Sequence, residues 1–120
     1  MTAILQSQSI FLQISETIKD RILSGEYKAD ERVPSVRELA EQMEVNPNTA
    51  MRAIERLQME GTIYNKRGLG YFVSADAREE ILAARRRKFV EEVLPALFQE
   101  MKLLGIELET IRSEWERHSL

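Results

Sequence analysis

Residues Val33–Val73 read VPSVRELAEQMEVNPNTAMRAIERLQMEGTIYNKRGLGYFV. Val36, Leu39, Ala40 and Met43 recur at i, i+3, i+4 and i+7, the spacing of one buried helical face. Ser35 stands where it can accept the backbone amide of Glu38, whose side chain can reach back in turn, a capping box. Pro34 disfavours a helical conformation at Val33 and so sets the incoming chain apart. A second helix opens at Asn46, a good N-cap, with Pro47 at the first helical position, where a missing amide leaves nothing unpaired. Ala50, Ala53, Ile54 and Leu57 share one face, with Asn48, Arg52 and Glu55 opposite, and Gly61 supplies a left-handed stop.

About three residues join the two helices, a length that suits a helix-turn-helix. Beyond Gly61, Ile63-Tyr64-Asn65 and Tyr71-Phe72-Val73 favour strands, and Lys66-Arg67-Gly68-Leu69-Gly70 between them predicts a turn with two glycines. This order is a helix-turn-helix followed by a wing, a shape that sets one helix into a DNA major groove. Lys66 and Arg67 at the wing tip are suited to neutralising phosphates. Taken alone they would be read as solubilising a turn; their position after this helix pair favours the phosphate role.

The remaining sequence supplies support. Ile10, Ile14, Ile18 and Ile22 repeat every four residues, with Phe11 and Leu23 beside them, predicting a helix capped by Ser9, ended at Ser24-Gly25 and packed over the helix pair. Tyr27 is expected to close over that core, and residues 1–8, which lack a pattern, to be loose. After Ser74, Ile81, Leu82, Phe89, Val93 and Leu97 give an interrupted apolar stripe that Pro95 should kink or divide. Gly105 ends that helix, and a last one runs from about Leu108 to Arg117. Two short helices cannot hide Phe89, Val93, Leu97, Leu104, Ile111 and Trp115 by themselves, so a second copy of the chain is the expected cover. The run Arg85-Arg86-Arg87-Lys88 reads first as a solvated face with ion pairs to Glu91 and Glu92.

Composition sets outer bounds. A chain of 120 residues, 43% hydrophobic, suits one small domain with an appendage and is too interrupted for a membrane span. The absence of cysteine excludes disulfides and thiolate metal sites. With no secretory pattern at the N-terminus, a cytoplasmic protein is expected. The net charge of −3 argues mildly against nucleic acid, yet Val45–Val73 carries four cations (Arg52, Arg56, Lys66, Arg67) against two acids (Glu55, Glu60). No nucleophile–base pair, phosphate loop or metal spacing appears, and His118 is the only histidine. Neither enzyme, cofactor nor metal site is expected.

On these residues the chain resembles the GntR superfamily of bacterial transcription regulators. The resemblance rests on Pro34 to Ala40, Val45 to Ala50, Leu57 with Glu60-Gly61, and Gly68-Leu69-Gly70 with Phe72-Val73. It implies DNA contacts from Ser35 and Arg37, from Asn46, Asn48 and Thr49 at the start of the recognition helix, and from Arg67 and Gly68 at the wing tip. Arg52 and Lys66 join this set from their positions. Some relatives carry Arg where this chain has Pro47 and Met51, and a small Thr where it has Tyr71. Asn46-Pro47-Asn48-Thr49 and the short C-terminal helices resemble the YtrA-type branch, which implies dimerisation by those helices in place of a full ligand domain.

The expected architecture is mostly α with a small β-hairpin. Residues 1–74 form a winged helix-turn-helix and residues 75–120 a C-terminal helical dimerisation segment. The expected function is that of a homodimeric regulator, a repressor by family analogy, on a palindromic double-stranded DNA operator. A small-molecule effector, where one exists, would sit between the C-terminal helices. The competing expectation is a winged helix that binds protein instead of DNA; the polar face Asn48, Arg52 and Glu55, without an apolar anchor, speaks against it.

Overall fold

A computed structural model describes residues 9–119. Its elements are α1 (Ile10–Leu23), α2 (Val36–Met43), α3 (Pro47–Met59), β1 (Ile63–Lys66), β2 (Gly70–Val73), α4 (Ala77–Lys88), a π-helical turn (Phe89–Val93), α5 (Leu94–Leu104) and α6 (Leu108–His118). The expectation for residues 1–8 lies outside the described residues. The chain divides into two compact units between Ala84 and Arg85.

The first unit is built around α3. Its Ala50, Ala53, Ile54 and Leu57 are buried against Ile14, Ile18 and Ile22 of α1 and Leu39 of α2. Small side chains let α1 approach α3 closely: buried Ser15 donates from Oγ to the carbonyls of Phe11 (2.9 Å) and Ala53 (3.4 Å). Ile10 is 59% exposed, so the isoleucine stripe covers the core only from Ile14 onward. Ser9 is extended as expected of a cap but makes no side-chain capping bond. Tyr27 packs on the core as expected.

Helix ends follow the capping residues. Ser35 and Glu38 form the reciprocal box, and Asn46 Oδ1 accepts the Asn48 amide. The turn between α2 and α3 is closed by Glu44 in the left-handed region at φ 54°, which lets the Val45 amide reach the Ala40 carbonyl. A non-glycine residue there carries strain of about 1–2 kcal/mol. Gly61 stands one position past the cap residue Glu60, at φ 80°, and Thr62 N–H returns to the Leu57 carbonyl.

β1 and β2 pair antiparallel with Ile63 opposite Val73 and Lys66 opposite Gly70. A third extended segment joins them: Val33 donates to the Tyr71 carbonyl, and Val73 to that of Glu31, each at 2.9 Å. Ala77 and Ile81 of α4 are buried in the same core. For that reason the first unit ends after Ala84 and not at Ser74, where the sequence placed the boundary.

In the second unit, Pro95 has no amide for the Glu91 carbonyl, and the turn before it opens into a π-helix in which Leu94 N–H reaches back to Phe89. Gly105, left-handed at φ 69°, ends α5. Met101 is the buried hydrophobic residue described in this unit, at 9% exposure.

Candidate nucleic-acid interface

The residues expected to meet DNA fall on three pieces of the first unit. At the start of α2, Ser35 is half-buried and its Oγ accepts the Glu38 amide at 3.1 Å, while Arg37 projects exposed from the next turn. The hydroxyl therefore shapes the helix start before any contact it makes with DNA. At the start of α3, Asn46 Oδ1 accepts the Asn48 amide at 2.8 Å. The side chains of Asn48 and Arg52 are exposed, and Thr49 is half-buried. Arg37 and Pro47 line one open depression together with Val36, Ala40, Glu44 and Val45, so these two helix starts lie side by side.

The wing is the third piece. Lys66, Arg67 and Gly68 are exposed at its tip, where Gly68 takes φ 80° and Leu69 N–H closes the turn on the Lys66 carbonyl at 2.8 Å. Two of the cations expected to meet DNA are placed by aromatic rings. Lys66 Nζ lies 4.6 Å from the Phe72 ring centroid and 5.8 Å from that of Tyr64. The Arg52 guanidinium sits 4.4 Å over Phe11 of α1. Such contacts are worth about 0.5–1 kcal/mol at exposed sites and orient the cation without neutralising it.

Arg32 is the residue that sequence reasoning missed. Its Nε donates to the Leu69 carbonyl at 3.3 Å, and its terminal nitrogen lies 3.3 Å from Glu38 Oε1. The same Glu38 oxygen accepts the Ser35 amide at 2.9 Å. One chain of contacts thus runs from the wing tip through Arg32 and Glu38 to the start of α2, holding the wing and that helix start in register. Bonds from Ser35, then the Arg32 charge, keep the Glu38 carboxyl below its ordinary range. Gly70 belongs to this arrangement: at φ 114°, a Cβ there would lie 3.0 Å from Arg32 Nε. No local periodicity marks Arg32, because its partners lie on two other elements.

α3 also exposes Met51, at 39%, and Met59, at 80%, so its outer face is less uniformly polar than Asn48, Arg52 and Glu55 alone imply. In the second unit, Phe89, Leu97, Leu104 and Trp115 are exposed, whereas Val93 and Ile111 are half-buried. Val90, Phe98, Leu103, Ile106 and Leu108 are exposed with them, beyond the six that the sequence singled out.

A family model described as bacterial regulatory proteins, gntR family, matches residues 11–73. The HTH-type transcriptional repressor YtrA of Bacillus subtilis (strain 168) is 35% identical over 109 residues, which cover 91% of this chain and 82% of that protein. A crystal structure of a GntR-family transcriptional regulator from Bacteroides thetaiotaomicron superposes with a TM-score of 0.76 at 40% identity, covering 91% of this chain and 95% of the other. The AraR DNA-binding domain, solved in complex with operator ORX1, superposes with a TM-score of 0.54 at 31% identity, over 56% of this chain and 81% of that one. With the family's motif spanning the helix pair and the wing, and a relative matched almost end to end, the chain belongs to the gntR family of bacterial regulatory proteins, in its YtrA-type branch.

Proposed function

We propose that this DNA-binding transcription regulator is a repressor that holds a palindromic operator as a homodimer. In this reading Arg37, Asn48 and Thr49 read base edges in the major groove, with Ser35 and Asn46 setting the helix starts beside them. Lys66, Arg67 and the Gly68 backbone engage phosphates, and Arg52 supports the same edge of α3. The unit that ends at Ala84 meets DNA, and Arg85–Leu120 pair the chains.

The observation that carries the proposal is the uneven covering of apolar surface. The first unit finishes its core and turns a polar, partly cationic face outward, whereas Phe89, Leu104 and Trp115 of the second are 50%, 63% and 74% exposed. A single winged helix reads too few base pairs to select a genomic site, and burying this apolar surface against a second copy supplies the second half-site. A small-molecule effector, where one exists, would bind between the C-terminal helices of the pair.

Selection of bound sequences from a random duplex library, followed by gel shifts at two salt concentrations, tests this. Enrichment of an inverted repeat with half-sites about one helical turn apart, or a multiple of it, is expected. Binding that shows no preference among sequences would leave the protein-docking alternative in its place. A reporter placed behind the selected operator should be silenced when the chain is expressed; activation would overturn the repressor assignment.

A further inference from the structure

The wing tip carries a residue that the phosphate role leaves unused. Leu69 is 64% exposed, between Gly68 and Gly70, both at positive φ. Single exposed apolar residues are ordinary on protein surfaces, but this one is held in an unusual way. Its amide is bonded to the Lys66 carbonyl and its carbonyl to Arg32 Nε, so both sides of its peptide backbone are fixed. Lys66 meanwhile leans back over the Phe72 ring. The result is a short, rigid, cationic loop that presents a leucine, and a side chain presented by fixed backbone loses little freedom on binding.

What such a side chain meets follows from groove geometry. With α3 in the major groove, a hairpin in the same compact unit that reaches past the bordering phosphates comes over the adjacent minor groove. There A·T and T·A pairs show only acceptors, and a G·C pair adds the guanine N2 amino donor. A leucine has no atom to accept that donor, and covering it leaves a buried polar group unpaired, which is unfavourable. We infer that Leu69 enters the minor groove beneath the wing and selects A·T over G·C there, by failing to satisfy the guanine amino group. This rests on the DNA-binding reading above, and it assigns sequence discrimination to the wing in addition to charge.

Base analogues test it. In the operator recovered by selection with the full chain, A·T pairs outside the recognition-helix contacts are replaced one at a time by G·C and by inosine·C. Inosine lacks the N2 amino group. Fluorescence anisotropy should find one position in each half-site where G·C weakens binding about tenfold, the order of one mismatched pair, and where inosine·C restores it. Leu69→Gln, which supplies an acceptor, should remove the difference between G·C and inosine·C. Arg67→Ala should weaken binding to all three duplexes alike. The inference is overturned if no position shows a penalty that inosine relieves, or if the penalty persists in Leu69→Gln. It is also overturned if Arg67→Ala abolishes the penalty, because the discrimination would then be arginine reading a narrow groove. Failure of the full chain to bind any selected duplex would remove the functional reading and this inference together.

Discussion

The two compact units differ in how much apolar surface each covers for itself. In the first, Ile18, Leu39, Ile54 and Leu57 are all fully buried, and four helices and a hairpin close around them. In the second, Leu103 and Leu108 are 81% and 67% exposed, and Met101 is the described side chain that reaches burial. The first unit closes a core of its own, and the second leaves most of its large apolar side chains exposed. In the proposed reading that division separates DNA reading from chain pairing, and it can be attacked from either side.

The largest effect should come from cutting the chain after Ala84. Residues 1–84 keep Ala77 and Ile81 in the core and should melt cooperatively, but as a monomer. Loss of the linked second half-site should weaken operator binding about 10²–10⁴-fold. A truncate that binds as tightly as the full chain would erase the distinction between the units. Cutting after Ser74 sharpens it further, since the shorter fragment loses two core side chains and should melt lower.

Core and face substitutions should then behave oppositely. Leu57→Ala removes a fully buried side chain from the first unit and should lower its stability by about 2–5 kcal/mol. Trp115→Glu, at an exposed position, should leave the melt of that unit unchanged and shift sedimentation toward monomer. Destabilisation of comparable size by both would show that the exposed apolar face is not an interface.

Contacts with DNA should lie in a smaller range. Arg37→Ala and Asn48→Ala should each cost about 1–3 kcal/mol of operator binding and relax preference at one position, because each side chain offers paired groups to a base edge. Lys66→Ala or Arg67→Ala should weaken binding to all sequences alike and reduce the salt slope by about one, measured from anisotropy across a salt series.

The smallest effect concerns the contact chain at the start of α2. Because the Glu38 pKa is depressed in the fold, its contribution is complete above the ordinary glutamate pKa and is lost as pH falls through the lower folded value. Urea midpoints of the parent and Glu38→Gln should therefore differ at neutral pH and converge in acid. Midpoints that stay apart at low pH would remove the charge from this account.

How much of this was legible in the sequence depended on the range of each contact. The capping box at Ser35 and Glu38, the Asn46 cap and the Gly68 turn involve residues a few positions apart, and local spacing predicts them. Leu39, Ile54 and Leu57 follow from helical periodicity for the same reason. Arg32 was not legible, because it reaches Leu69 and Glu38 across two other elements. Nor was the capture of Arg52 by Phe11, which depends on how α1 crosses α3. Ala77 and Ile81 were assigned to the wrong side of the domain boundary, since a helix's apolar residues do not announce which core they enter. The π-helical turn was foreseen only as a kink at Pro95; the need to accommodate a proline was readable, the form it takes was not.

The assembly claim is tested most directly by sedimentation equilibrium of the full chain, alone and with the selected operator duplex, at micromolar concentration. The account predicts a dimer in the absence of DNA and two chains on each duplex in its presence. A full-length monomer that holds the same operator tightly as one chain per duplex would contradict it.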